Sequence, residues 1–294
     1  MKLVTISDER GGRPGLIYRD SIFDLRAGHP ALSLSGWRPD SVVAVMNAGQ
    51  SGREHLEGLI AALDAATDGE VRGLRASGVL LPLAGTRLGP PIRRSGLMVS
   101  LEQDEMGLPR PFIKSANTLV GPDDKVVLPE HLGGTTTVVP QVAAVLGRPC
   151  YRMSAEQAHG AVGGYLLALD LTHQTESERT ASKEHIVTAR TIGKQLPGFF
   201  PMGPFLVTTE EVLQMTEPHV SLTINEVAAA AWSLSDLVPR IEEALVWLSR
   251  YFSFKPGDLV AISGSDPAGA MLGPGDEIQL SSAALGTLRM RIGH

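Results

Sequence analysis

Cysteine is nearly missing from this chain: Cys150 is the only one among 294 residues. A disulfide framework and a cysteine-based zinc site are therefore excluded. Nothing at an activating spacing surrounds Cys150, which reads as a small buried hydrophobe. No run of apolar residues reaches membrane-spanning length. The opening MKLVTISDERGGRP carries Asp8 and Glu9 where a secretory signal would need an apolar core. Basic residues do not cluster, and the net charge of -6 leaves no face suited to nucleic acid. The expectation is a cytoplasmic protein with neither a nucleic-acid nor a membrane partner.

What is present is ordinary for a folded protein, with 43% hydrophobic and 20% charged residues. The length suits one large domain or a large and a small one. MKLVTI reads as a strand, and GLIYRD with SIFDL as a hairpin around Arg19 and Asp20. Residues 53–66 place Leu56, Leu59, Ile60 and Leu63 on one helical face. The stretch VLLPLAGTRLGPPIRR brings Pro82, Pro90 and Pro91 and suits a linker. The expected units are 1–90 and 91–294. Beyond the linker, short strand-like runs follow one another: LMVSL, PFIK, KVVLP, VVPQVAAVLG, GYLLALDLT, FLVTT, VSLTI, DLVAIS, EIQLSS and GTLRMRI. Two helices interrupt them. SAEQAHGAVGG has the capping-box pair Ser154 and Gln157, and SDLVPRIEEALVWLSRYF carries Pro239 near its start. The fold class is α+β, mainly β, with a barrel-like or sandwich-like core.

Several stretches, in order along nearly the whole chain, resemble the fumarylacetoacetate hydrolase superfamily. They include RPFIKSANTLVGPDDKVVLP, GRPCYRMSAEQAHGAVGGYLLALDLT, IGKQLPGFFPMGPFLVTTEE and FSFKPGDLVAISGSDPAG. The resemblance implies a β-roll or barrel catalytic domain behind a small N-terminal domain, usually in a homodimer. It also implies Mg²⁺ or Ca²⁺ chemistry on an enolisable β-dicarbonyl or 2-oxo acid: C–C hydrolysis, decarboxylation or tautomerisation.

Set against that family, the site residues are mostly replaced. Two metal-binding carboxylates, two apart on a strand, would fall at Val139 and Gln141. Only Asp170, in LALDLT, matches a metal ligand. The family's water-activating His and Glu fall at Glu102 and Glu105, each a candidate lone base but expected foremost as a solvated lid charge, and Met98 and Val99 stand where Asn-Tyr is usual. Gln174 replaces a substrate-binding Arg, and His173 is new beside it. His173 is expected to point away from Asp170 if the strand runs straight, and to pair with it if the chain bends. Lys194 matches the family lysine at the substrate oxygen, where its charge can stabilise an oxyanion. Ser265 stands where Thr is usual, Asp266 beside it is a candidate partner for Lys194, and Lys114 in FIK also matches.

The candidate catalytic residues are therefore Lys194, Asp170, Glu105 and His173. The candidate substrate-binding residues are Gln141, Val139, Met98, Phe199, Ser265 and Lys114. No metal or other cofactor is expected. The favoured reading is a metal-independent enzyme for cyclisation, isomerisation or dehydration of an apolar enolisable carbonyl compound in specialised-metabolite biosynthesis. A metal-dependent hydrolase or decarboxylase and a non-catalytic binding protein stand as alternatives.

Overall fold

The computed structural model describes residues 1–8, 11–27, 37–103, 109–180, 183–215, 219–264 and 269–293. The N-terminal part holds strands β1 (Lys2–Ile6), β2 (Arg13–Tyr18) and β3 (Ser21–Asp24) and helices α1 (Val42–Asn47), α2 (Gly49–Ala65) and α3 (Asp68–Ala76). Strands β4 (Leu80–Pro82) and β5 (Leu88–Gly89) follow. The expected hairpin is β2–β3, with Arg19 at φ 55° in its turn. The expected helix is α2, whose Leu56, Leu59 and Leu63 are buried.

The remainder begins with β6 (Met98–Gln103), β7 (Pro109–Lys114), β8 (Leu119–Val120), β9 (Lys125–Val127) and β10 (Thr135–Leu146). Next come α4 (Ala155–His159), β11 (Val162–Gln174), α5 (Glu176–Arg179), α6 (Lys183–Gly193), β12 (Phe200–Thr208) and α7 (Thr209–Leu213). The chain closes with β13 (His219–Ile224), β14 (Val227–Ser233), α8 (Leu234–Leu248), β15 (Leu259–Ser263), β16 (Ala270–Leu272), β17 (Glu277–Ser282) and β18 (Gly286–Gly293). The capping box of Ser154 and Gln157 is formed, but α4 stops at His159. The glycines after it belong to β11: a Cβ on Gly164 would come within 2.5 Å of the Val207 carbonyl oxygen of β12.

Two mixed sheets result. The larger runs β4-β3-β2-β1-β12-β11-β10-β15-β6-β7, and the smaller runs β14-β13-β17-β18-β9. Side chains alternate across each strand, so β10 and β11 feed two cores. Val138, Val142, Ala144, Leu167, Leu169 and Leu171 pack with α8 and the smaller sheet. Ala143, Val145, Leu166 and Ala168 pack with α1, α2 and α3. Among the described residues, no helix is long and apolar enough to cross a membrane.

A proline inside a strand-like run such as VVPQVAAVLG ordinarily marks a sheet edge or a bulge. Pro140 lies inside β10 instead, opposite Leu169 of β11. Its other side explains how it is accommodated. There β16 pairs with Thr136 to Val138 and β15 pairs from Gln141 onward, so Pro140 falls in the gap between the two partners. No ladder donor is required of it there.

Candidate functional site

Residues directly opposed on neighbouring strands share a face. The pairs Asp170–Val139, Gln141–Ser263, Ala261–Ser100 and Ser100–Phe112 therefore set one continuous face across β11, β10, β15, β6 and β7. Asp170, Gln141, Ser100, Glu102 and Lys114 all point from it. A sixth contributor comes from α6. Gly193 ends that helix so close to β11 that a Cβ would lie 1.9 Å from the His173 carbonyl oxygen. Only glycine permits this approach, and it sets the next residue, Lys194, over Asp170. Gly193→Ala is expected to cost about 1–3 kcal/mol, as overpacking does; a urea midpoint equal to wild type would contradict the contact.

The side chains form one buried polar cluster. Lys194 Nζ donates to Asp170 Oδ2 at 2.7 Å, and Lys114 Nζ donates to Asp170 Oδ1 at 2.9 Å. Ser100 Oγ also donates to Asp170 Oδ2, and Gln141 Nε2 donates to Ser100 Oγ at 2.9 Å. Lys114 donates further to the carbonyl oxygens of Lys194 at 2.7 Å and Phe199 at 3.1 Å. A lysine has three N–H groups, so Lys114 is saturated. Glu102 Oε1 lies 2.7 Å from Lys194 Nζ and Glu102 Oε2 2.7 Å from Arg190. The rings of Phe112 and Phe200 lie 5.0 and 5.1 Å from Lys194 and Lys114 respectively, at cation–π distance. Asp170 and Lys194 are wholly buried, and Glu102 is 9% exposed.

Burial works against ionising Asp170, but the charges of Lys194 and Lys114 outweigh it. Hydrogen bonds from Lys194 and Ser100 add to them, holding the carboxyl well below the usual range. Burial pushes Lys114 down to about 8, opposed by Asp170 and reinforced by Lys194. An unfolded chain therefore binds more protons than the folded one between about 8 and the ordinary lysine value of 10.5. Stability should rise with pH through that window and be level below it. Urea midpoints across the window test this: the rise is expected in wild type and should flatten in Lys114→Met. An unchanged slope in the variant would contradict it.

Among the described residues, three buried atoms of the cluster lack an aligned hydrogen-bond partner: Glu102 Oε1, Gln141 Oε1 and Arg190 Nε. The Glu102 oxygen touches Lys194 as an ion pair, off the line of a hydrogen bond. Buried polar atoms are nearly always paired. Two open acceptors and one open donor suit a bound group carrying both kinds of atom. Glu102 also lines a cavity of about 280 Å³ whose apolar wall is Leu101, Pro109, Ala244, Trp247 and Ile262.

The family model for the fumarylacetoacetate (FAA) hydrolase C-terminal region matches residues 95–293. The chain belongs to the fumarylacetoacetate hydrolase family. It is similar to 2,4-didehydro-3-deoxy-L-rhamnonate hydrolase from Sphingomonas sp. (strain SKA58). The identity is 27% over 255 residues, covering 81% of this chain and 87% of that protein. It is also 26% identical to human mitochondrial oxaloacetate tautomerase FAHD2A over 235 residues, covering 74% and 73%. Among solved structures, maleylpyruvate hydrolase from Sphingobium sp. SYK-6, in complex with manganese(II) and pyruvate, superposes with a TM-score of 0.73. That match is 24% identical and covers 100% of both chains.

Among the described residues, the donor set of this family member does not fit a divalent cation. Mg²⁺ and Mn²⁺ take several oxygen ligands, chiefly carboxylates. Asp170 is the one carboxylate on β10 and β11 in this face; Val139 lies opposite it and Gln141 diagonally across. Both Asp170 oxygens already hold ammonium groups. Among the described residues, no group of three His, Cys, Asp or Glu side chains could hold a metal ion.

The face thus brings together Asp170, Lys194, Gln141, Val139 and Lys114. Other expectations need correcting. His173 lies on the straight part of β11 and points to the opposite face. Its Nε2 donates to the Gly133 carbonyl at 2.7 Å, and its Nδ1 accepts from Thr136 at 3.0 Å. With both nitrogens engaged, it is not set beside Asp170. Phe199 and Val99 are buried in the core packed with α8, so neither ring nor branch faces the cluster. Met98 shares the face but packs with the N-terminal core. Lys114 has no N–H left for a ligand. Glu105, Ser265 and Asp266 lie outside the described residues. Glu102, expected as a solvated lid charge, is instead a buried member of the cluster. Ser100 and Arg190 were not anticipated. Met98, Ser100 and Glu102 alternate at period two, and Arg190 precedes Lys194 by one helical turn, the signals that would have found them.

Proposed function

We propose that the protein is an enzyme that moves a proton between carbon and oxygen of a largely apolar, enolisable carbonyl compound, without a divalent cation. The observation that carries this is Glu102 Oε1. Among the described residues it is a buried acceptor open to a further hydrogen bond, 2.7 Å from the Lys194 ammonium, on a residue that also borders the cavity.

The charges support it. Lys114, Lys194 and Arg190 stand against Asp170 and Glu102, a surplus of one positive charge. When Glu102 takes the proton α to the carbonyl, the C–H electron pair moves to the carbonyl oxygen. Glu102 becomes neutral and the ligand becomes an enolate. The cations behind Glu102 are then left against Asp170 alone, and the enolate supplies the negative charge that they have lost. A preorganised charge in a dry site stabilises such a species more than water does. Returning the proton at a different carbon, or at oxygen, completes an isomerisation. Cyclisation and dehydration proceed from the same enolate. A carboxylate base suits a C–H already acidified by a neighbouring carbonyl.

Asp170 holds both lysines in place and touches no ligand in this scheme; Lys194 supplies the charge. The relatives named above as tautomerase and hydrolases support chemistry on enolisable acids in general. The apolar cavity wall supports a greasier substrate, as specialised-metabolite biosynthesis would provide. The working form is taken to be a homodimer. The test is solvent deuterium incorporation at the α carbon, followed by NMR over a panel of β-dicarbonyl compounds. Exchange with at least one compound is expected, lost in Glu102→Gln. Exchange equal in wild type and Glu102→Gln would overturn the proposal.

A further inference from the structure

We infer that Arg240 is the anchor for an anionic group on the ligand, and that the cavity under α8 takes an apolar body carrying one such group at its end. The cavity that Glu102 borders has a second charged wall. Arg240 lines it from α8, together with Trp247 one face along the same helix and Ile262, Ser263 and Gly264 from the end of β15. Arg240 is half-buried. Among the described residues its one hydrogen bond is to the Ser263 carbonyl at 3.4 Å, the long limit for such a bond. A guanidinium has five N–H groups in a planar fork matched to a carboxylate or phosphate. Here the fork is nearly unused.

Glu243 also lines the cavity, one helical turn on, but it is solvent-exposed and forms no ion pair with Arg240 among the described residues. Glu102, the other acid at the wall, is taken by Lys194 and Arg190. The guanidinium therefore borders a space whose other described lining is neutral, with Gln103, Ser263 and Gly264 beside the apolar Leu101, Pro109, Ala244, Trp247 and Ile262. At about 280 Å³ that space sits at the lower end of the range for small-molecule pockets. The combination selects an amphipathic anion of modest size, with its charge at Arg240 and its body between Trp247 and Ile262. A compact dianion would leave the apolar wall unfilled and bring its second charge to Glu102.

That this ligand is the substrate rests on the proton-transfer reading; the anion site itself does not. The test uses octanoate as probe, read by tryptophan fluorescence since Trp247 lies in the wall, with octanamide and succinate as controls. Octanoate should bind wild type saturably and at least about tenfold more tightly than octanamide or succinate. Arg240→Gln should weaken octanoate at least about tenfold and leave octanamide unchanged. Arg240→Lys should recover part of the loss. Thermal unfolding of each variant shows that it is folded. No saturable octanoate binding to wild type, or equal binding to Arg240→Gln, would overturn the inference. Glu102→Gln separates the two proposals. If it keeps octanoate binding while no deuterium exchange is found in wild type, the anion site stands and the proton-transfer reading falls.

Discussion

Asp170→Asn is expected to lower the free energy of unfolding by about 3–5 kcal/mol, the cost of removing one partner from a buried ion pair. The side chain is wholly buried and holds Lys114 on one oxygen and Lys194 on the other. Asparagine keeps the shape but leaves two ammonium groups with Glu102 as their nearest carboxylate. Urea denaturation reads the loss directly. Pairing Asp170→Asn with Lys114→Met should recover part of it, because one of the stranded charges is then gone and neighbouring substitutions are not additive. A loss below about 1 kcal/mol for the single variant would mean that the cluster does not carry the charges described. The pH dependence has a definite sign as well. Asp170 titrates lower in the folded protein than in the unfolded chain. Its contribution is therefore present above the ordinary carboxylate range and lost as pH falls through the folded value.

Glu102→Gln is expected to slow α-carbon exchange by about 10²–10⁴-fold, the span typical of general acid–base groups. Its effect on stability should be the smaller of the two. Lys194 keeps its bond to Asp170, Arg190 is not fully buried, and glutamine still offers an oxygen to both cations. The split between the two variants is the informative result. Asp170→Asn reports mainly on stability, and Glu102→Gln mainly on rate. Loss of fold in Glu102→Gln, or a rate within about twofold of wild type, would assign Glu102 to structure alone.

The succession of strands along the chain was readable because Gly and Pro punctuate the short apolar runs, and their succession matches a family pattern. The pairing of Val139 and Gln141 on one face also followed from period two. The partnership of Asp170 did not. Nothing local in LALDLT tells that Lys114, 56 residues earlier, and Lys194, 24 residues later, converge on it. Convergence of that kind is set by sheet register and by the close approach at Gly193. Glu102 was read as solvated because a charged residue is usually exposed. Its burial depends on Arg190 from α6, a helix that the reading of the sequence did not mark. His173 was decided by straightness: β11 continues through Gln174, so alternation alone turns the ring away from Asp170.

The central claim is that an ammonium–carboxylate cluster stands where the resemblance to the family implies a divalent cation. It is tested most directly by the metal dependence of deuterium exchange. Exchange should be unchanged after exhaustive treatment with EDTA, unchanged on adding Mn²⁺ or Mg²⁺, and lost in Lys194→Gln. Exchange that disappears with EDTA, returns stoichiometrically with Mn²⁺ and survives in Lys194→Gln would contradict it.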